Sequence, residues 1–216
     1  MLKIYNSLLF VQISSPGKSY LIDCLSQLVE KYESSQFMLL AAPTGSAAFN
    51  INGSTLHSLF QLKCNFKPAD PAPKLEGDPL KRLQSNCGKA WFLILDEKSM
   101  ISTIRIFQLH ERLKQIHPEI SVDEAPFGGM SIMMFGDYSQ LPPVLEKAVF
   151  DSVQDTGASK MAQMAGSALY SQFDKVIVLN ESMRQKGTYF LHNYYYEIII
   201  IMIIIMMTII IMTNTK

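Results

Sequence analysis

The chain has no excess of charge of either sign. Lysine plus arginine number 19 and aspartate plus glutamate 19 in 216 residues, for a formal net charge of +0. A broadly basic surface is therefore excluded, and any nucleic-acid site must be a local groove. Cysteine is scarce and odd in number. Its 3 copies, Cys24, Cys64 and Cys87, show no CxxC spacing. They speak against a disulfide framework and read as reduced thiols of an intracellular protein. The 4 histidines, His57, His110, His117 and His192, fall at no metal-ligand spacing. No secretory leader is legible, because the apolar stretch 8–11 is too short for a signal-peptide core and Gln12 interrupts it. That stretch reads as a first sheet strand. A chain of this length holds one or two domains and can bury a sizeable core.

What is present, up to about Gln185, is an alternation of strands and helices. Residues 8–13 read as a strand, 14–17 as a turn, and 18–31 as a helix with Leu21, Leu25 and Leu28 on one face. Residues 37–42 form a second strand. The polar, proline-rich stretch 67–79 has the composition of a mobile surface connection. Residues 90–95 read as a strand ending in Asp96-Glu97, and 104–116 as a helix with Ile106, Leu109, Leu113 and Ile116 at helical spacing. Residues 131–135 are apolar after Ser131, the pattern of a strand buried on both faces of a parallel sheet. A last strand is expected at 176–179. The fold class is α/β, with right-handed crossovers and a mainly parallel sheet flanked by helices.

Four segments carry chemistry. The first, SSPGKSY at 14–20, has the end of a phosphate-binding loop: Gly17 for close backbone approach, Lys18 as a cation for β/γ-phosphates, and Ser19 as a Mg²⁺-ligating hydroxyl. Gln12 stands where the full pattern has its first glycine. Ser14, Ser15 and Pro16 replace the glycine-rich turn, and Pro16 lacks an N–H for the cradle. The plain alternative is a strand-to-helix turn with a solvated lysine. The second, WFLILDEKSM at 91–100, is an apolar strand delivering two adjacent carboxylates, a Walker B pattern. Asp96 suits Mg²⁺ through its water shell, and Glu97 suits orienting or deprotonating an attacking water. Lys98 is placed to pair with Glu97 and weaken it as a base.

The third, APTGSAAFNINGSTLHSLF at 42–60, opens a helix at Thr44-Gly45, whose free N–H groups suit phosphate. Thr55 and His57 add donors, and Phe60 offers a stacking surface for single-stranded DNA. The alternative is a capped core helix with a satisfied loop histidine. The fourth, PFGGMSIMMFGDYSQLPPV at 126–144, is a turn, a strand ended by Gly136, and a loop. Asp137 and Gln140 then sit at a strand's carboxyl end, where open α/β sheets bind ligands.

These segments together resemble the motifs of petite-integration-frequency (Pif-type) DNA helicases, relatives of RecD in helicase superfamily one. The GD-x-x-QLPPV run after a GG turn resembles the glutamine-bearing sensor motif of that family, and ERLKQI within 104–116 its signature between the Walker B and glutamine motifs. The resemblance covers roughly residues 8–188. It implies a RecA-like P-loop domain and ATP-dependent 5′-to-3′ unwinding, with ATP and Mg²⁺ as cofactors and single-stranded DNA as partner. It also implies that Arg184, in LNESMRQKG, contacts the γ-phosphate and that Glu97, Gln140 and Arg184 serve catalysis. Gly17, Lys18, Ser19 and Asp96 would hold the cofactor, Ser19 and Asp96 the metal, and Thr44, Gly45, Thr55 and His57 the DNA. An intracellular site follows, nucleus or mitochondrion in a eukaryote. The chain reads as one motor domain of the two a helicase needs, cut at both ends.

The domain is expected over residues 1–188, with a tail over 189–216. Residues 198–212, opening on Ile198 and closing on Met212, are isoleucine and methionine broken only by Thr208. The run is shorter than the ~20 residues of a spanning helix and has no amphipathic period. All its residue types have AT-rich codons, so it reads as a translated simple repeat or intron. The rival reading is a membrane anchor, with Tyr194, Tyr195 and Tyr196 as an interfacial belt.

Overall fold

The structure, a computed structural model, describes residues 8–13, 18–32, 35–63, 72–120, 125–143, 146–151, 158–173 and 175–179. The strands are β1 (Leu8–Ile13), β2 (Met38–Ala42), β3 (Ser54–Thr55), β4 (Phe92–Leu95), β5 (Ser131–Gly136) and β6 (Lys175–Leu179). The helices are α1 (Lys18–Tyr32), α2 (Gly45–Asn50), α3 (Leu56–Leu59), α4 (Gly77–Cys87), α5 (Thr103–Ile116) and α6 (Ala158–Tyr170). The strands form one 6-stranded sheet in the order β3-β2-β4-β5-β1-β6. Every pairing is parallel, so all strand carboxyl ends share one edge.

Side-chain alternation along the central strands separates two cores. Phe92 and Ile94 of β4 and Met133 and Phe135 of β5 pack with Leu21, Ile22, Leu25 and Val29 of α1 and Ala47, Ala48 and Ile51 beside them. Leu93, Leu95, Ile132 and Met134 face the other way, onto Leu83 and Cys87 of α4 and Ile106, Leu109, Leu113 and Ile116 of α5. The sheet thus lies between two helical layers. β5 is buried at every position, as its apolar run implies. The α1 stripe differs from expectation, since Leu28 is half-buried while Ile22 and Val29 are buried, the wider stripe of a helix lying flat on a sheet.

Two helices depart from the sequence reading. The stretch 67–79 was expected as a surface connection, yet Gly77, Asp78 and Pro79 already form the first turn of α4, where a proline loses no intrahelical bond. α6 faces inward mainly with small residues. Its buried face is Ala162, Gln163, Gly166 and Leu169, while Met161 and Met164 are exposed. Gly166 lets α6 rest on the start of α5, since a Cβ there would lie 1.9 Å from the Thr103 carbonyl oxygen. In the middle of α5, His110 Nδ1 accepts a hydrogen bond of 3.0 Å from the Phe127 N–H. This supports the Pro126–Gly129 turn, in which Phe127 has φ 55.

Among the described residues, Cys24 and Cys87 are free thiols, and burial pushes Cys87 up to about 11. No helix among the described residues is long and apolar enough to cross a membrane. Cys64, Arg184 and the run 198–212 lie outside the described residues.

Gly166→Ala is expected to lower unfolding stability by about 1–3 kcal/mol, because the neighbour is backbone and cannot step aside. Urea titration reads it. Burial holds His110 down to about 4 from 6.5, Glu111 opposing and Lys114 adding. A base with a depressed folded-state pKa is neutral in the fold, so its contribution is complete above about 6.5 and is lost as pH falls toward about 4. His110→Gln is expected to flatten that part of the stability-against-pH curve.

Candidate nucleotide cleft

The shared carboxyl edge of the sheet opens into a cleft of about 740 Å³. Four of the six strands, β1, β2, β4 and β5, contribute residues that follow them. Lys18 and Ser19 come after β1, Thr44 and Ser46 after β2, Asp96, Glu97 and Ser99 after β4, and Ser139, Gln140 and Leu141 after β5. The volume is that of an ordinary small-ligand pocket. Five residues read from sequence as cofactor-binding, metal or catalytic residues, Lys18, Ser19, Asp96, Glu97 and Gln140, therefore line one space. Gly17 and Arg184 lie outside the described residues, as do Ser14, Ser15 and Pro16.

At its centre the Lys18 ammonium bridges two carboxylates. Nζ lies 2.9 Å from Asp96 Oδ1 and donates to Glu97 Oε1 at 2.6 Å. Residues adjacent along a strand point to opposite faces, so Asp96 and Glu97 could not both meet one cation in extended backbone. Glu97 escapes this by adopting φ 53, ψ 51, the left-handed region that costs a non-glycine residue about 1–2 kcal/mol. Asp96 Oδ1 accepts the Glu97 N–H at 2.8 Å and steadies the turn. Burial pushes the Asp96 carboxyl up and the Lys18 ammonium beside it opposes that push. Burial works against the charge on Lys18, but the hydrogen bond to Glu97 and the proximity of Asp96 outweigh it, and its pKa is raised.

Lys98 was expected to compete for Glu97. Glu97 is instead paired with Lys18, and the Lys98 ammonium lies 4.6 Å from the Tyr138 ring centroid. Burial lowers its pKa to about 8, against the pull of Asp137. The backbone of Lys98 runs close under Gly136, whose φ is +139 and where a Cβ would come within 2.9 Å of Lys98 N. Glycine is needed there for both reasons. Asp137 Oδ1 then accepts the Ser139 N–H at 3.0 Å and Asp137 O the Gln140 N–H at 3.2 Å, folding the loop so that Gln140 reaches the cleft rim.

The segment read as a DNA contact divides. Thr44 caps α2, its Oγ1 accepting from Ala47 N at 3.2 Å, and it lines the nucleotide cleft with Lys18. Gly45 opens that helix. Thr55 caps α3 through Ser58 N at 3.2 Å, and His57 follows it outside the cleft. Phe60 is 0% exposed and belongs to the core, so it offers no stacking face, a correction to the sequence reading. Phe49, 82% exposed on α2, is the aromatic the segment does present. Sequence reasoning also passed over Ser99, whose buried hydroxyl has no hydrogen-bond partner among the described residues.

The donor set fits a phosphate with a divalent cation: one ammonium, one hydroxyl on Ser19, two carboxylates and an amide, around an open space rather than a packed core. Fold and cleft together define a class, the open parallel α/β domain of RecA-like kind with a charged crevice at its carboxyl edge. The PIF1-like helicase family model matches residues 4–198. The chain belongs to the PIF1-like helicase family. It is 31% identical over 184 residues to the ATP-dependent DNA helicase PIF1 of Candida albicans, covering 84% of this chain and 19% of that protein. The crystal structure of Pif1 helicase from Candida albicans superposes with a TM-score of 0.60 at 28% identity, over 85% of this chain and 38% of that one. Pif1 helicase from Bacteroides in complex with ADP-AlF3 and ssDNA gives a TM-score of 0.56 at 26% identity, over 88% and 41%. The chain thus spans about a fifth of the length of the Candida relative.

Removing the bridging cation leaves Asp96, 2% exposed, beside Glu97 with no other ion-pair partner for either among the described residues. Lys18→Met is expected to cost about 3 kcal/mol of stability at neutral pH. Adding Asp96→Asn in that background should return part of the loss. Urea denaturation of the single and double variants measures both.

Proposed function

We propose that residues 1–188 are the first, nucleotide-binding motor domain of an ATP-dependent 5′-to-3′ DNA helicase, and that residues 189–216 contribute nothing to that fold. The observation that carries the reading is the position of Lys18 between Asp96 and Glu97 on the same cleft as Gln140. Family membership and the ADP-AlF3 and ssDNA bound to the Bacteroides relative support it.

Lys18 and Ser19, with Gly17 before them, would bind the β- and γ-phosphates. Asp96, with Ser19, would hold Mg²⁺, whose role when bound is to neutralise charge on the phosphates. In the structure Glu97 Oε1 is occupied by the Lys18 ammonium. A phosphate that draws Lys18 away leaves Oε1 free to take a proton from water. The water oxygen attacks the γ-phosphorus as the bond to the departing ADP oxygen breaks. Gln140, which lines the same cleft, would orient that water, and Arg184 would supply positive charge to the transferred group. Single-stranded DNA would lie along Thr44, Gly45, Thr55 and His57, with affinity falling as salt rises. The second reading, a remnant that binds nucleotide weakly and does no chemistry, is favoured by Gln12, Ser15 and Pro16 where the phosphate cradle has glycine.

Titration with fluorescent ATP and Mg²⁺ tests the site. The unaltered chain is expected to bind, Lys18→Ala to weaken binding by about ten-fold or more through loss of a charge-assisted bond, and Gln12→Gly with Ser15→Gly to strengthen it. Equal affinity in the unaltered chain and Lys18→Ala would remove Lys18 from the site and with it the reading.

A further inference from the structure

Ser99 stands in the turn of 3-10 helix Lys98–Met100, two residues after Glu97, and lines the cleft with Lys18, Asp96, Glu97 and Gln140. It is 3% exposed, and its hydroxyl is buried with no hydrogen-bond partner among the described residues. The bonds that close the turn run between backbone groups. Met100 N–H donates to the Glu97 carbonyl at 3.1 Å and Ile101 N–H to the Lys98 carbonyl at 3.1 Å. Both leave the hydroxyl out. The next serine along the chain is used differently. Ser102 Oγ accepts the Arg105 N–H at 3.2 Å as the N-cap of α5 and donates to Glu146. Thr44 and Thr55, on the other side of the sheet edge, likewise spend their hydroxyls on helix caps.

A buried hydroxyl that makes no bond has lost its water and gained nothing in return, whereas alanine at the same backbone position has nothing to lose. A ligand that brings an acceptor removes the penalty. The place of Ser99 in the turn says which part of a ligand that is. On the function proposed above, Asp96 holds the metal on the phosphates and Glu97 faces the attacking water. The chain just past Glu97 therefore runs beside the terminal phosphoryl group, not beside the base or the sugar. The chemistry agrees. A phosphoryl oxygen is anionic and accepts hydrogen bonds, and the two carboxylates on this wall repel it. A neutral O–H is a donor that can stand between those carboxylates and a phosphate without burying another charge.

We propose that Ser99 is a specificity-determining residue of the cleft: its hydroxyl donates to an oxygen of the terminal phosphoryl group once Lys18 has moved onto the phosphates, and so separates a nucleoside triphosphate from a diphosphate. This rests on the cleft binding nucleotide as set out above. The test is isothermal titration calorimetry with a non-hydrolysable ATP analogue and, separately, with ADP, each in the presence of Mg²⁺. The chains compared are the unaltered protein, Ser99→Ala and Lys18→Ala, and the melting temperature of each is read without nucleotide. Ser99→Ala is expected to weaken the analogue by about ten-fold, the worth of one hydrogen bond to a charged group, and to leave ADP within about two-fold. Its melting temperature should equal or exceed that of the unaltered chain, because the variant deletes a buried hydroxyl that had no bond to lose. Equal weakening of analogue and ADP with a lower melting temperature is the outcome of a purely structural hydroxyl and would overturn the proposal. So would unchanged affinity for the analogue. In both cases weaker binding by Lys18→Ala leaves the reading of the cleft standing. Failure of the unaltered chain to bind either nucleotide would overturn that reading and this proposal together.

Discussion

The arrangement of the cleft depends on one ammonium held between two carboxylates. Lys18 begins a helix after one strand, and Asp96 and Glu97 follow another that is not its neighbour, since β5 lies between β1 and β4. Contacts of 2.9 and 2.6 Å therefore span the central strand and draw the edge of the sheet together. Two carboxylates at that edge would repel each other and, with Asp96 buried, suffer loss of solvation. The lysine offsets both. On the function proposed above, a phosphate-bound divalent cation would bring positive charge to the same carboxylates, so filling the cleft would exchange one counter-charge for another. The protein side of that exchange is already organised.

That organisation begins with backbone geometry. A parallel sheet puts every strand's carboxyl end on one edge, and the loops there need not form ladder bonds. Glu97 uses that freedom to turn left-handed, and Gly136 uses it to let the adjacent loop lie directly on Lys98. Glu97 sits two residues beyond β4 and Gly136 is the last residue of β5, where the sheet overdetermines what precedes them. Strain at such positions is tolerated because the strands behind are buried, β4 and β5 at every position.

Much of this was legible in residue order. The strands β4 and β5 announced themselves by short apolar runs ending in paired acids and in glycine, β1 by an apolar run interrupted at Gln12, and α5 by apolar residues at helical spacing. The nucleotide-binding candidates were legible because each stands immediately after such a run, and parallel topology converts that into proximity. What was not legible has a physical reason in each case. α6 buries alanine and glycine and exposes methionine, the reverse of the pattern that marks a helix face, because close approach of two backbones needs small residues rather than apolar ones. α4 starts on Gly-Asp-Pro, which reads as a turn although those residues also suit a first helical turn. Phe60 looked available to a base because spacing cannot say which face of a four-residue helix meets the core.

Lys98 shows how a neighbour in sequence is kept from being a neighbour in chemistry. A lysine directly after two carboxylates should compete with Lys18 for them. The left-handed turn at Glu97 redirects the chain before Lys98, and the following turn of 3-10 helix carries its side chain to the far side, under the loop from β5. There the stem packs into the interior while the ammonium meets the face of Tyr138 and the field of Asp137. Tyr138 is held in turn by its hydroxyl contact with Tyr170 and an edge-on contact with Phe150. The same bend that brings Asp96 and Glu97 onto one cation thus moves the second cation away. A single residue's φ separates the cleft's working charge from a structural one.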